Sequence, residues 1–195
     1  MKRICVFCGS SPGARPEYMQ AAKKLGAVLA QRKLVLVYGG SSVGTMGELA
    51  RSVIEQGGEV IGIITQELVD RKVAFTGLSD LRVVGSMHER KALMAELADG
   101  FIALPGGIGT LDEFFEVWTW AQLGLHPKPC GLLNICGYYG KLMGFLDHVA
   151  DEKFLAKVHR SMIMLDEEPA ALLDRFAHYK APKMDKAAWT LRMEQ

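Results

Sequence analysis

The sequence predicts an α/β protein whose sheet is parallel and covered by helices on both faces. Along its 195 residues, short apolar segments of strand length alternate with amphipathic segments of helical spacing. Strands buried on both faces are continuously apolar, and helical crossovers between them are typical of a parallel sheet. Glycine-bearing loops follow several of the apolar segments, as they do where such sheets bind ligands. We therefore expect an open parallel α/β sheet of about six to seven strands with helices on both faces.

The predicted elements alternate in chain order, and each has a local reason. Apolar runs of strand length give the predicted strands, which are KRICVFC, KLVLVYGG, EVIGIIT, FIALP, PCGLLNI and SMIML. Helical spacing gives the predicted helices, which are PEYMQAAKKLGAVLAQR, TMGELARSVIEQGG, SMHERKALMAELADG, residues 110–123, a segment from about Tyr138 to Asp151, and PAALLDRFAHY. Pro16 suits the first turn of the first helix, and glycines end the second and third. We assign residues 1–180 to a single domain and expect a tail or a short helix over 181–195, where the charge is mixed.

Composition and charge argue against several classes of protein. The net charge of +1 gives no electrostatic reason to expect a nucleic acid or an anionic membrane as partner. No apolar run approaches the ~20 residues that span a bilayer, and the N-terminus lacks the long apolar segment of a signal peptide. Cys5 and Cys8 form a C-x-x-C, but residues three apart on a strand point to opposite faces, so we expect neither a metal nor a disulfide there. A cytoplasmic protein with reduced cysteines is expected.

Three glycine-bearing loops follow predicted strands, at residues 8–13, 38–48 and 104–113. Ligands of open α/β sheets bind beyond the carboxyl ends of the strands, so the three loops could wall one cleft. The second loop has the glycine spacing of a P-loop, but Thr45 and Met46 stand where lysine and serine or threonine are required. The first loop does not fit G-x-G-x-x-G, and no acid ends the second strand, so we expect neither an NTPase nor NAD binding. The first two loops either line the cleft or are simply tight turns.

The third loop has the character of an anion site. Gly106, Gly107 and Gly109 allow backbone N–H groups to converge on a phosphate at a helix start. The helix dipole adds only about 0.3–1 kcal/mol, so cationic help is needed. Arg90 and Lys91, at the start of the preceding helix, are the candidates. The alternative is that both belong to a solvated basic helix face.

Carboxylates follow this loop directly, and the sequence allows two interpretations of Glu113. Thr110 and Glu113 form the T-x-x-E pattern of a capping box, in which Glu113 would bond back to the backbone N–H of Thr110. Alternatively, Glu113 faces the ligand beside the phosphate loop. The sequence pattern alone is compatible with both.

The motifs PGGIGTLDE (105–113) and MHERK (87–91) resemble the paired signature of the Lonely guy family of phosphoribohydrolases. VFCGSS, VYGGSSVGTMG and TWAQLGLHPKPCGLLNICGYY are similar to other segments of that family, in the same order. The resemblance implies that Arg90 and Glu113 are the catalytic pair and that Gly106 to Thr110 form the phosphate loop. Further candidate substrate-contacting residues, taken from the matching motifs and loops, are Gly9, Ser10, Gly39, Gly40, Gly44, Met46, Lys91, Pro105, Gly106, Gly107, Ile108, Gly109, Thr110, Asp112 and Thr119.

The resemblance also implies that the parallel sheet is Rossmann-like and doubly wound. It further implies an activity, namely cleavage of the N-glycosidic bond of a nucleoside 5′-monophosphate without metal or cofactor. Members were often labelled lysine decarboxylases, but nothing in this sequence marks a pyridoxal-phosphate lysine. A non-catalytic nucleotide carrier or sensor on the same fold is the alternative. The chain departs from many relatives at Thr65, where they have proline, and near Lys72, where they have an acid. These departures leave the choice between AMP and prenylated AMP open.

Cleavage of an N-glycosidic bond builds positive charge on the ribose, so the reaction needs an anion beside the sugar. We expect the Glu113 carboxylate to supply it and the helix dipole to favour its ionised form. Arg90 would either neutralise the phosphate or orient Glu113.

The helix that follows the phosphate loop is apolar on more than one side. Phe114, Phe115, Val117, Trp118 and Trp120 cannot all share one face at 100° per residue. Such a helix needs a second cover, and the resemblance implies a homodimer. We expect the dimer to form through the helix at 110–123. The alternative is burial within one chain under the C-terminal helix PAALLDRFAHY.

Overall fold

The structure is a computed structural model, and it describes residues 1–182. The seven strands are β1 (Arg3–Phe7), β2 (Val35–Tyr38), β3 (Val60–Thr65), β4 (Asp80–Val84), β5 (Gly100–Ala103), β6 (Cys130–Leu133) and β7 (Ile163–Asp166). The helices are α1 (Pro16–Gln31), α2 (Gly44–Glu55), α3 (Gln66–Asp70), α4 (Met87–Leu97), α5 (Ile108–Gln122), α6 (Gly140–Asp151), α7 (Lys157–Arg160) and α8 (Pro169–Ala177), with a 3-10 helix at Ile135–Gly137. The expectation for 181–195 falls almost wholly outside the described residues.

All seven strands form one parallel sheet in the order β4-β3-β2-β1-β5-β6-β7. The chain runs outward from β1 to β4, crosses back, and then runs outward on the other side from β5 to β7. The strand order therefore reverses between β1 and β5, which is where doubly wound sheets open a crevice. The predicted α/β class with a parallel sheet is confirmed.

Two apolar clusters hold the helices on the two faces of the sheet. One cluster contains core residues of α4, α5 and α6, and the other contains those of α1, α2 and α8. Cys5 belongs to the first and Cys8 to the second, so their side chains lie on opposite sides of the sheet as expected. All four cysteines are free thiols. None of the described helices is long and apolar enough to cross a membrane.

The structure corrects several predicted boundaries. The edge strand β4 was not predicted, because its half-exposed residues Asp80 and Arg82 interrupt the apolar run. The short helices α3 and α7 were missed as well. The helix predicted at 110–123 begins two residues earlier, at Ile108. The C-terminal helix α8 packs on the face opposite α5, so the hypothesis that it covers α5 is wrong.

Candidate active site

A cleft of about 520 Å³ opens beyond the carboxyl ends of the four neighbouring strands β3, β2, β1 and β5. Its walls are the three glycine-bearing loops, together with α3 and the residues that follow it. The predicted site residues that line the cleft are Gly9, Ser10, Gly39, Met46, Arg90, Gly107, Ile108, Gly109, Thr110 and Glu113. The carboxyl edge of the sheet therefore brings together side chains that are far apart in sequence.

The first two loops are held together by hydrogen bonds to the backbone of Gly9. The Thr45 hydroxyl donates to the Gly9 carbonyl at 2.9 Å, and the Met46 N–H reaches the same oxygen at 3.2 Å. Gly44 has a φ of +60°, and a Cβ at that position would overlap the backbone of Ser10. This close approach gives Gly44 a structural reason to be glycine, since any side chain would push the loops apart.

The third loop presents an uncapped helix start to the cleft. Helix α5 has Gly107 as its N-cap, with no side-chain hydrogen bond. Leu111 donates to the Gly107 carbonyl at 3.2 Å, so the N–H groups of Ile108, Gly109 and Thr110 precede the first intrahelical bond. Three donors without intrahelical partners at the positive end of a helix form a ready site for an anion.

Arg90 and Glu113 form a buried ion pair at the floor of the cleft. Their residues are 6% and 8% exposed, and Arg90 Nη1 donates to Glu113 Oε1 at 2.6 Å. Arg90 Nε donates to the carbonyl of Ile63 at 2.9 Å. A Cβ on Gly39 would overlap Arg90 Nη2, so the backbone of that glycine packs against the guanidinium. Arg90 thus lies inside the protein and not on a solvated basic face.

The capping-box reading of Glu113 is wrong. Because α5 starts at Ile108, Thr110 is the third helical residue and not the N-cap. Glu113 is in the second turn, where its carboxylate accepts from Arg90. The T-x-x-E spacing is present, but the helix begins earlier than the pattern suggested.

Burial raises the pKa of the Glu113 carboxyl, and the charge and hydrogen bond of Arg90 oppose that rise. The sequence led us to expect the helix dipole to keep Glu113 ionised. The dipole acts mainly within the first turn, and Glu113 lies beyond it. The cation that favours the carboxylate here is therefore Arg90.

Several predicted site residues do not line this cleft. They are Gly40, Gly44, Lys91, Pro105, Gly106, Asp112 and Thr119. Lys91 contacts helix α5, where its ammonium lies 3.1 Å from Asp112 Oδ2 and 3.2 Å from Glu116 Oε2. Burial lowers the pKa of Lys91, but the bonds to these two carboxylates outweigh it and the net shift is upward. Thr119 is exposed, farther along α5.

The sequence drew attention to the end of β3 at Thr65 and to the segment near Lys72, but it did not predict which residues form the wall of the cleft beyond β3. Leu68, Arg71 and Val73 line the cleft there, and Val73 O accepts from Ser42 N at 2.9 Å. Neither Thr65 nor Lys72 lines it. The other lining residues that sequence reasoning missed are Cys8, Ser41, Val43 and Met87. The carboxyl-edge rule could have found this wall, because the segment directly follows a predicted strand.

Within residues 1–182, the side chains of His, Cys, Asp and Glu form no group of three that could hold a metal ion.

A doubly wound parallel sheet, an open helix start and a buried guanidinium–carboxylate pair define an α/β protein with an enzyme-like cleft. A family model described as "Possible lysine decarboxylase" matches residues 46–176. A cytokinin riboside 5′-monophosphate phosphoribohydrolase of Arabidopsis thaliana is 47% identical over 185 residues, which are 95% of this chain and 85% of that protein. A protein of the same name from Rhodococcoides fascians is 50% identical over 165 residues, which are 84% of this chain and 83% of that protein. The chain belongs to this family, the Lonely guy family.

Solved structures of lower sequence identity share the fold. The molybdenum cofactor binding protein of Rippkaea orientalis superposes with a TM-score of 0.67 at 23% identity, covering 91% of this chain and 97% of that one. The molybdenum cofactor carrier protein of Chlamydomonas reinhardtii gives a TM-score of 0.69 at 21% identity, covering 92% and 100%. At these identities the likeness establishes the Rossmann-like fold and nothing about the ligand.

Proposed function

We propose that this protein hydrolyses the N-glycosidic bond of nucleoside 5′-monophosphates, giving the free base and ribose 5-phosphate. The observation that carries the proposal is the buried Arg90–Glu113 pair, which lies in the same cleft as the uncapped start of α5. The Glu113 carboxylate of this pair can stabilise positive charge on a ribose, and the N–H groups at the start of α5 can hold the phosphate of the same nucleotide. The activity named for relatives at 47% and 50% identity supports the same reaction.

The proposal orients the substrate along the cleft. The phosphate would accept from the N–H groups of Ile108, Gly109 and Thr110, and the ribose would lie over Glu113. The base would then extend towards the wall beyond β3. The strands β5 and β3 are three intervals apart in the sheet, so the cleft spans about 14 Å at ~4.8 Å per strand.

In the proposed reaction, the bond between C1′ and the base nitrogen breaks as positive charge grows on the ribose. The Glu113 carboxylate stabilises that charge and accepts a proton from the attacking water. The oxygen of this water becomes bonded to C1′. The departing base ends with the proton that Glu113 took from the water, which restores the Glu113 carboxylate. Arg90 has two of its nitrogens bonded to Glu113 and Ile63, so its role is to orient and ionise Glu113.

The apolar side chains of the cleft bear on the choice of base, although Arg71 also lies on the wall beyond β3. Six apolar side chains line the cleft, and they are Val43, Met46, Leu68, Val73, Met87 and Ile108. Such a surface suits a prenyl group on the adenine, but an apolar pocket gains only about 1–3 kcal/mol per methylene-sized feature. We therefore predict modest discrimination, with both AMP and N6-isopentenyladenosine monophosphate cleaved. Brisk cleavage of the prenylated nucleotide beside a complete absence of AMP cleavage would contradict this.

The test of the activity is product analysis. The protein is incubated with AMP, with N6-isopentenyladenosine monophosphate and, as a control, with adenosine, and the products are separated by chromatography. We expect free base and ribose 5-phosphate from both nucleotides and much slower release from adenosine. Binding of the nucleotides without any release of base would instead support a carrier or sensor.

We further propose that the protein acts in the cytoplasm. Its four cysteines are free thiols, which supports a reducing compartment.

A further inference from the structure

Two adjacent tyrosines hold the backbone of the loop that begins α5. Tyr138 and Tyr139 join the 3-10 helix to α6. The Tyr139 hydroxyl donates to the Leu104 carbonyl at 2.7 Å, and the Tyr138 hydroxyl donates to the Gly106 carbonyl at 2.7 Å. The two bonds flank Pro105, one on each side.

The two bonds differ in what they do to the next peptide unit. In a trans peptide the C=O and the following N–H point in opposite directions. Fixing the Gly106 carbonyl therefore fixes the direction of the Gly107 N–H, which lies at the start of α5. The Leu104 carbonyl is followed by Pro105, which has no N–H. The Tyr139 bond consequently holds the backbone at the end of β5, but it does not set the direction of any N–H group.

The position of the loop shows which way the Gly107 N–H is aimed. Gly106 and Tyr138 line a second cavity, of about 280 Å³, whose lining includes neither Arg90 nor Glu113. Ile108 lines the cleft of the ion pair, and Gly107 belongs to both walls. Because the Gly106 carbonyl bonds to Tyr138, the Gly107 N–H should point away from Tyr138, towards the cleft and the N–H groups at the start of α5.

Tyr138 is held in place without being buried. Its ring meets those of Tyr18 and Tyr139 edge-on, with centroids 5.7 Å and 5.0 Å apart. Tyr138 is 43% exposed, whereas Tyr139 is 1% exposed. Loss of the Tyr138 hydroxyl should therefore disturb folding less than loss of the buried Tyr139 hydroxyl.

We propose that Tyr138 is a positioning residue for phosphate recognition, acting through the peptide between Gly106 and Gly107. The inference rests on the proposed function only in taking a nucleoside monophosphate as the ligand. Tyr139, which makes the same bond to the same loop, has no part in phosphate recognition and serves as the matched control.

The test measures the binding of AMP and of adenosine by calorimetry in three proteins: the parent, Tyr138→Phe and Tyr139→Phe. All three carry Glu113→Gln so that the ligand is not consumed. We expect Tyr138→Phe to weaken AMP about tenfold, the worth of one charge-assisted hydrogen bond, and to leave adenosine unchanged. Tyr139→Phe should lower the melting temperature more, yet keep the parent ratio of AMP to adenosine affinity.

Two results would overturn the proposal. One is wild-type AMP affinity in Tyr138→Phe, and the other is an equal loss of AMP affinity in both tyrosine variants, which would mean that the loop is merely supported. Because these readouts need no turnover, they separate this proposal from the proposed activity. A protein that binds AMP but releases no base would end the proposed activity and leave the role of Tyr138 measurable. With Glu113 intact, we expect Tyr138→Phe to raise KM for AMP and to leave kcat near that of the wild type.

Discussion

The guanidinium of Arg90 is directed inside the protein and not at the solvent. It bonds the Ile63 carbonyl and the Glu113 carboxylate, and it packs against the backbone of Gly39. Because its donors are already bonded to protein groups before any ligand binds, Arg90 acts on the substrate through Glu113. The sequence left its role open between phosphate and Glu113, and these contacts favour Glu113.

The pairing predicts a particular pH dependence. Glu113 must be ionised to act, so turnover should fall as the pH drops through the pKa of its carboxyl. Burial raises that pKa and Arg90 opposes the rise. We therefore predict that Arg90→Gln moves the acidic limb of the kcat profile to higher pH, whereas Arg90→Lys, which keeps a cation, moves it less.

The measurement is the pH dependence of kcat for the three proteins, each first shown to be folded by its thermal melt. Removing one partner of a buried pair can cost about 3–5 kcal/mol of stability, so this check matters. An acidic limb at the same pH in Arg90→Gln and wild type would contradict the role given to Arg90.

At the scale of the elements, α4 and α5 are joined by charges as well as by apolar packing. Lys91 of α4 reaches Asp112 and Glu116 of α5. The Lys91 side chain is 13% exposed, that of Glu116 is 27% exposed, and that of Asp112 is 57% exposed. The ion pair of Lys24 with Glu168 is also between two helices, but its side chains are 54% and 57% exposed. Water screens the Lys24–Glu168 pair far more than the Lys91–Glu116 pair.

This contrast gives a matched pair of stability predictions. Lys91→Met should lower the free energy of unfolding by about 1–2 kcal/mol, because it leaves the mostly buried Glu116 carboxylate without its cation. Lys24→Met should change it by less than about 0.5 kcal/mol, as is usual for exposed pairs. Urea unfolding of both variants measures the difference. Equal changes would show that burial does not strengthen the Lys91 contacts.

The elements also show what local sequence patterns can and cannot predict. Continuous apolar runs predicted β1 and β5, since both strands are buried on both faces. The edge strand β4 is half-exposed and carries Asp80 and Arg82. It therefore has no continuous apolar run and was not predicted. The glycines of the loop at residues 104–113 were visible as a motif. Their support by Tyr138, 32 residues away, was not visible, because long-range hydrogen bonds leave no local pattern.

At the scale of the whole molecule, α5 keeps part of its apolar surface uncovered. Phe114 and Trp118 are buried in the cluster shared with α4 and α6, whereas Phe115 and Trp120 are half-buried. Leu125, just beyond the helix, is 70% exposed. We propose that a second copy of the chain covers this surface, which would place two active sites near one interface.

Light scattering at low micromolar concentration tests the dimer, which should have about twice the chain mass of 21.4 kDa. Phe115→Asp should give monomers with lower activity. Phe154→Asp is the control, because Phe154 is 81% exposed and lies beyond the end of α6. It should leave the mass unchanged. A wild-type monomer would mean that the interface assigned to α5 is wrong.

The Glu113→Gln variant tests whether the Glu113 carboxylate stabilises the transition state for cleavage of the N-glycosidic bond. A carboxylate ~4 Å from a unit charge is worth ~4 kcal/mol at an effective dielectric of 20, or roughly a thousandfold in rate. Glutamine can still accept the bond from Arg90, so the fold and the affinity for AMP should be retained. We predict a loss of turnover of about a thousandfold at unchanged AMP affinity. Turnover within about tenfold of the wild type would contradict the account and leave Glu113 as a structural partner of Arg90.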